Sequence, residues 1–146
     1  MTRRLHAVVL ALAAALAARP AAAAGAERFR LVVHPAVAVR ALPREEVARL
    51  FLGKALEWSD GTRARPVDQR DGSAVREAFA REVLRRSPAA VKAHWQQLVF
   101  SGRGVPPPEA SSDAAVLAHV RAHPGAIGYV SASAPLDGVV ELDLER

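Results

Sequence analysis

The stretch Val67-Asp68-Gln69-Arg70-Asp71-Gly72-Ser73-Ala74-Val75-Arg76-Glu77-Ala78-Phe79 gathers groups suited to holding an anion. An apolar run ends at Asp68, a polar turn follows, and a helix begins near Ser73. The first N–H groups of a helix have no internal acceptor, and the helix dipole adds partial positive charge there. An oxyanion placed at such a corner gains donors without a full counter-charge. Gly72 lets the backbone come close. Ser73 can donate its hydroxyl, Ala74 and Val75 their amides, and Arg70 or Arg76 a guanidinium. The same residues also read as plain structure, with Ser73 as a helix cap and the arginines solvated.

Other groupings carry less chemistry. His119 and His123 stand four apart, a spacing that can hold a metal, but no glutamate follows His119 and no third ligand is evident. They read more readily as solvated helix histidines. Asp60, Asp68 and Asp71 suggest paired carboxylates, yet each is expected in a turn, where aspartate is common for structural reasons. Ser101-Gly102-Arg103-Gly104 can form an anion-binding nest or a simple connector. Trp58, Trp95 and Tyr129 read as core or rim, and Pro106 to Pro108 as a stiff spacer. No Ser/His/Asp order, phosphate-binding Walker loop or zinc-protease pattern is present, so the reading is a non-enzyme without cofactor or metal. The absence of cysteine excludes a disulfide scaffold, a zinc-thiolate site and a cysteine nucleophile. Aromatic residues at 5% argue against a base-stacking surface for single strands.

These groups need elements to position them. Phe29 to His34 is β-branched and apolar and predicts a strand, with Ala36 to Arg40 as a further extended piece. Pro43 suits the first position of a helix whose first turn holds Glu45 and Glu46; Val47, Leu50 and Phe51 give it one apolar face. Gly53 is placed to end that helix in the left-handed conformation. Asp60-Gly61 predicts a turn, Arg63 to Asp68 a short strand, and Ser73 to Arg86 a helix with Val75, Ala78, Phe79 and Val83 inward. Ser87-Pro88 caps another helix, and Ser111-Ser112-Asp113 a third, with Pro124-Gly125 closing it. Ala126 to Val130 and Val139 to Leu144 read as strands, the latter after the Asp137-Gly138 turn. Strands separated by helices predict an α/β layer structure with a mixed or mostly parallel sheet flanked by helices.

The N-terminus follows different rules. Arg3 and Arg4 precede an apolar run from Leu5 to Ala18, broken only by His6 and ended by Arg19-Pro20 and a small-residue stretch. That order predicts a secretory signal over residues 1–26, cleaved after Ala24 or Ala26, and a domain over 27–146. The run is too short to cross a bilayer comfortably, so no membrane span is expected after cleavage. The first 26 residues hold three of the 20 basic residues and none of the 15 acidic ones, so their removal lowers the formal net charge from +5 to +2. Nucleic-acid binding loses its electrostatic support.

Several motifs in order carry a resemblance. Arg70-Asp71-Gly72-Ser73 with Phe79 resembles the Arg-x-Asp-Gly-Ser-Gly-Thr…Phe turn of the periplasmic phosphate-binding proteins of ABC transporters. Phe51-Leu52-Gly53…Trp58-Ser59-Asp60-Gly61, Trp95…Phe100-Ser101-Gly102-Arg103-Gly104 and Pro124-Gly125-Ala126-Ile127-Gly128-Tyr129-Val130 are similar to stretches of that family's second lobe. The similarity runs from Leu31 to Val130. It implies a single-lobe domain of periplasmic-binding-protein type that recognises phosphate or a similar oxyanion through Arg70, Ser73, Ala74, Val75 and Arg76. It further implies a periplasmic location and an ABC transporter permease as partner, with pairing of two chains into a homodimer left open. Two departures stand out. Ala74-Val75 replaces the family's Gly-Thr, and the family's arginine aligns nearer Gln69, with Arg70 one residue along. The family's first-lobe phosphate loop and its acidic hydrogen-bond acceptor have no visible counterpart in these residues. The alternative is an envelope structural or interaction protein that keeps the lobe without binding a small ligand.

Overall fold

Phe29-Arg30-Leu31-Val32-Val33 forms β1 (Phe29–Val33), the middle strand of a five-stranded sheet. The computed structural model describes residues 28–146; the signal expected over residues 1–26 lies outside them. β2 (Ala41–Pro43) leads into α1 (Arg44–Phe51), and β3 (Arg65–Pro66) and β4 (Asp68–Gln69) into α2 (Ala74–Phe79). A π-helical turn over Ala80–Leu84 prolongs α2, and α3 (Pro88–Phe100) follows. The chain ends through β5 (Glu109–Ala110), α4 (Asp113–Ala122), β6 (Ala126–Ser131) and β7 (Val140–Glu145).

The strand order is β2-β7-β1-β6-β3, with β4 and β5 forming a separate pair. β1 runs antiparallel to β6 and β7, while β2–β7, β3–β6 and β4–β5 are parallel. The sheet is therefore mixed. Alternation along the two central strands divides the core. Leu31, Val33, Ile127 and Tyr129 face a cluster that holds Val47 and Phe51 of α1, Phe79 of α2 and Trp95 of α3. Val32, Ala126 and Val130 face the other cluster, built with Val116, Leu117 and Val120 of α4. A period of two sends successive side chains to opposite faces, so both faces are apolar because both are covered by helices.

The local signals act as expected at most helix ends. Ser73, Ser87 and Ser112 each accept the amide three residues on, at 3.1 Å. Gly53 ends the first helix at φ +70°. Four differences remain. Pro43 closes β2 and stands just before α1 rather than inside it. The extended piece expected over Ala36 to Arg40 instead opens with a turn in which Val37 N–H donates to the His34 carbonyl at 2.9 Å. The strand expected over Arg63 to Asp68 is split, because β3 pairs with β6 and β4 with β5. The helix expected to Arg86 widens into the π turn and stops at Arg85, at φ +54°.

Candidate functional site

Where β4 gives way to α2, the chain turns a corner whose shape follows from four residues. Gly72 adopts φ +79°, and a Cβ there would meet nothing within 4 Å, so the space beyond it is open. The Asp71 carboxylate accepts the Gly72 amide at 3.1 Å, and Ser73 N–H donates to the Arg70 carbonyl at 3.3 Å. The Ser73 hydroxyl oxygen accepts Arg76 N–H, which leaves its proton to donate outward. The Ala74 and Val75 amides take no acceptor among the described residues. Ala74 is exposed, Ser73 half-buried, and the Val75 side chain is packed into the core.

The two arginines fare differently. Arg70 is exposed, its backbone amide held by the Ala110 carbonyl at 2.9 Å. Arg76 turns beneath the corner. Its Nη1 donates to the Gln69 carbonyl at 2.7 Å and to Glu109 at 2.8 Å, and its Nη2 lies 3.5 Å from Asp68. The Arg76 side chain is only 12% exposed. Its charge is matched by two carboxylates and braces β4 to β5, so it is not the free cation that spacing alone allowed. Of the expected set, the structure brings Arg70, Ser73, Ala74 and Val75 to one corner and puts the Arg76 guanidinium under it.

The brace belongs to a polar network that the motif reading missed. Asp68, expected in a turn, is buried in β4. Its carboxylate accepts the Tyr129 hydroxyl and, at 2.9 Å, the Gln69 amide. Burial pushes the Asp68 carboxyl above its ordinary value of 3.8, against the pull of the Tyr129 hydroxyl and Arg76. Burial, then the charge of Asp68, drives the Tyr129 phenol far above its usual range. Gln69, at the place nearest the family's arginine, is 2% exposed. Its amide donates to Asp113 at 2.7 Å and to the Tyr129 carbonyl at 3.2 Å. Asp113 also accepts the Ser131 amide at 3.1 Å and its hydroxyl. The sequence signal for this network was faint: a polar Asp-Gln pair ending a strand, and a tyrosine within an otherwise apolar one.

The remaining candidates resolve individually. Asp60 closes its own turn by accepting the Thr62 amide at 2.9 Å. The amides of Gly102 and Arg103 donate to the Val99 and Leu98 carbonyls, so this loop is tied to the end of α3 rather than open as a nest. His119 and His123 stack with ring centroids 4.1 Å apart. Among the described residues no group of three His, Asp or Glu side chains is placed to hold a metal. Trp58 donates its indole N–H to the Gly125 carbonyl at 3.0 Å, which joins two of the resembling motifs.

With this geometry in hand, comparison with known proteins shows the fold. No family profile matches the chain, and no curated protein matches it by sequence. Solved structures do. A phosphate ABC transporter substrate-binding protein from Clostridium perfringens, with bound phosphate, superposes at a TM-score of 0.64 with 22% identity over 80% of this chain and 44% of its own. An ABC-type phosphate transport receptor from Vibrio cholerae gives 0.61 at 18% identity, covering 82% and 47%. PstS from Borrelia burgdorferi gives 0.59 at 10% identity, covering 82% and 47%. The chain spans less than half the length of these proteins. It has the fold of one portion of a solute-binding protein.

Proposed function

We propose that this chain is an exported, non-catalytic binding domain that recognises phosphate or a similar oxyanion at the corner between β4 and α2. One observation supports the reading: the Ala74 and Val75 amides take no acceptor among the described residues, and the space beside Gly72 is open. Arg70 is the cation free to approach the anion. Arg76 holds the corner from beneath through Asp68 and Glu109. The similarity in fold to phosphate-binding transport proteins supports the anion class, and an ABC transporter permease is the corresponding partner. The N-terminal pattern supports export to the periplasm. Among the described residues no helix is long and apolar enough to cross a membrane.

Titration of the 27–146 chain with phosphate, followed by amide NMR, tests this. The expected result is saturable movement of the Ser73, Ala74 and Val75 signals, abolished by Ser73→Ala with Arg70→Ala. Unmoved signals at high phosphate would overturn it.

A second reading has its own observation. Gln69 is locked inward where the related turn carries arginine, and Arg76 is already neutralised. Both features favour an envelope interaction protein that keeps the lobe as a scaffold. Capture of a stable protein partner from periplasm, unaffected by phosphate, would select that reading.

A further inference from the structure

A second cleft lies away from the β4–α2 corner. It holds about 530 Å³ between β3, the C-terminal half of α4 and the loop that carries Pro106 to Pro108. Its charged and titratable lining is Arg63, Arg65, His119 and His123, with no carboxylate. Neither arginine has an ion-pair partner among the described residues. The floor and rim are apolar. Trp95 is 8% exposed and lines the cleft, and its indole N–H has no acceptor among the described residues. Leu56 and Val105 stand at the rim 71% and 85% exposed.

Large exposed hydrophobic residues beside unpaired cations have a specific meaning. An inorganic anion would use the arginines and leave the apolar wall idle. A neutral apolar molecule would leave buried donors and cations unmatched. A second copy of this chain meeting it through the same cleft would bring two more arginines against these. The volume falls within the range of small-molecule pockets.

From this cleft we infer a binding site for a small organic anion with an apolar body, a carboxylate or sulfate on an aliphatic or aromatic frame. Arg63 and Arg65 hold the charged head, and Trp95, Leu56 and Val105 cover the body. The stacked imidazoles close the cationic end. Burial, then the neighbouring charges of His123 and Arg65, lowers the proton affinity of His119.

Octanoate is a suitable probe, with octanol as its neutral match and inorganic phosphate as its apolar-free match. In NMR titration of the 27–146 chain, octanoate is expected to move the Trp95 indole and the His119 and His123 ring signals saturably, with the Trp58 indole unmoved. Octanol and phosphate are expected to leave them in place. Arg63→Gln with Arg65→Gln, both at exposed positions, should weaken octanoate binding roughly tenfold. Ser73→Ala should leave it unchanged, which separates this site from the one proposed above. Octanol binding as well as octanoate, shifts confined to another surface, or no effect of the double substitution would each overturn the inference.

Discussion

Tyr129 shows how one side chain can serve two layers at once. Its ring stacks on Phe79 at 4.0 Å and 8°, and its hydroxyl donates to the Asp68 carboxylate. Tyr129→Phe keeps the ring and removes the donor. A buried carboxylate left short of a donor costs about 1–3 kcal/mol, and chemical denaturation will read that loss. Asp68 itself carries a pH signature. Its folded pKa lies above the ordinary value of 3.8, so its contribution to stability is complete below that pH and is lost as pH rises through the folded value. Asp68→Asn removes the titration. The variant will therefore gain on the wild type as pH rises from about 4 toward neutrality, measured as the difference between their denaturation curves. An equal difference at every pH would show that Asp68 does not titrate there. At the same scale Arg76→Lys tests the brace. A point charge cannot span Gln69, Glu109 and Asp68 as a planar fork does, so destabilisation of about 1–3 kcal/mol is expected.

Elements meet where the resembling motifs meet. The Pro124-Gly125 turn, at φ +87° for Gly125, passes so close to the chain just before β3 that a Cβ there would lie 2.2 Å from the Arg63 carbonyl oxygen. Trp58 reaches across to the same turn. Gly128, inside β6, leaves room for α4: a Cβ would stand 2.7 Å from Val116 and 2.9 Å from Val67. Gly128→Ala forces the helix off the sheet or the valines from their rotamers, at about 1–3 kcal/mol. Gly125→Ala meets backbone instead of movable side chains and will cost more. Thermal melts of the two variants give the comparison, and equal losses would contradict it. The glycines of the Pro-Gly-Ala-Ile-Gly-Tyr stretch thus let the backbone approach the Arg63 carbonyl and α4 closely.

For the whole molecule, the proposed anion corner lies on an open face. The match to solute-binding proteins spans 44–47% of their length. An anion held on one side only stays in contact with water, and its electrostatic attraction is screened by salt over about 8–10 Å. Phosphate binding to the 27–146 chain will therefore weaken steeply as ionic strength rises, in calorimetry at fixed pH. Affinity that ignored salt would mean the anion is buried, for example between two chains.

Much of the architecture was legible along the chain because its causes are local. Serine caps, prolines at helix starts, glycines in turns and the alternation of apolar residues act within a few positions of themselves. They placed β1, α1, α3, α4, β6 and β7 and the opening of α2. The two-residue strands β4 and β5 were not legible, since two residues carry no period and each exists only because the other lies beside it. The turn at Gly72 and the helix start at Ser73 were legible from residue types alone. What Arg76 does there was not. Its direction depends on Glu109, 33 positions away, and on the burial of Asp68. The same holds for the cationic cleft, where β3, α4 and the proline loop converge. Residue types determine which charges a chain owns. Only the tertiary fold decides which carboxylate faces which guanidinium, because electrostatic pairing is set by distance in space and by exclusion of water, and neither is a property of position in sequence.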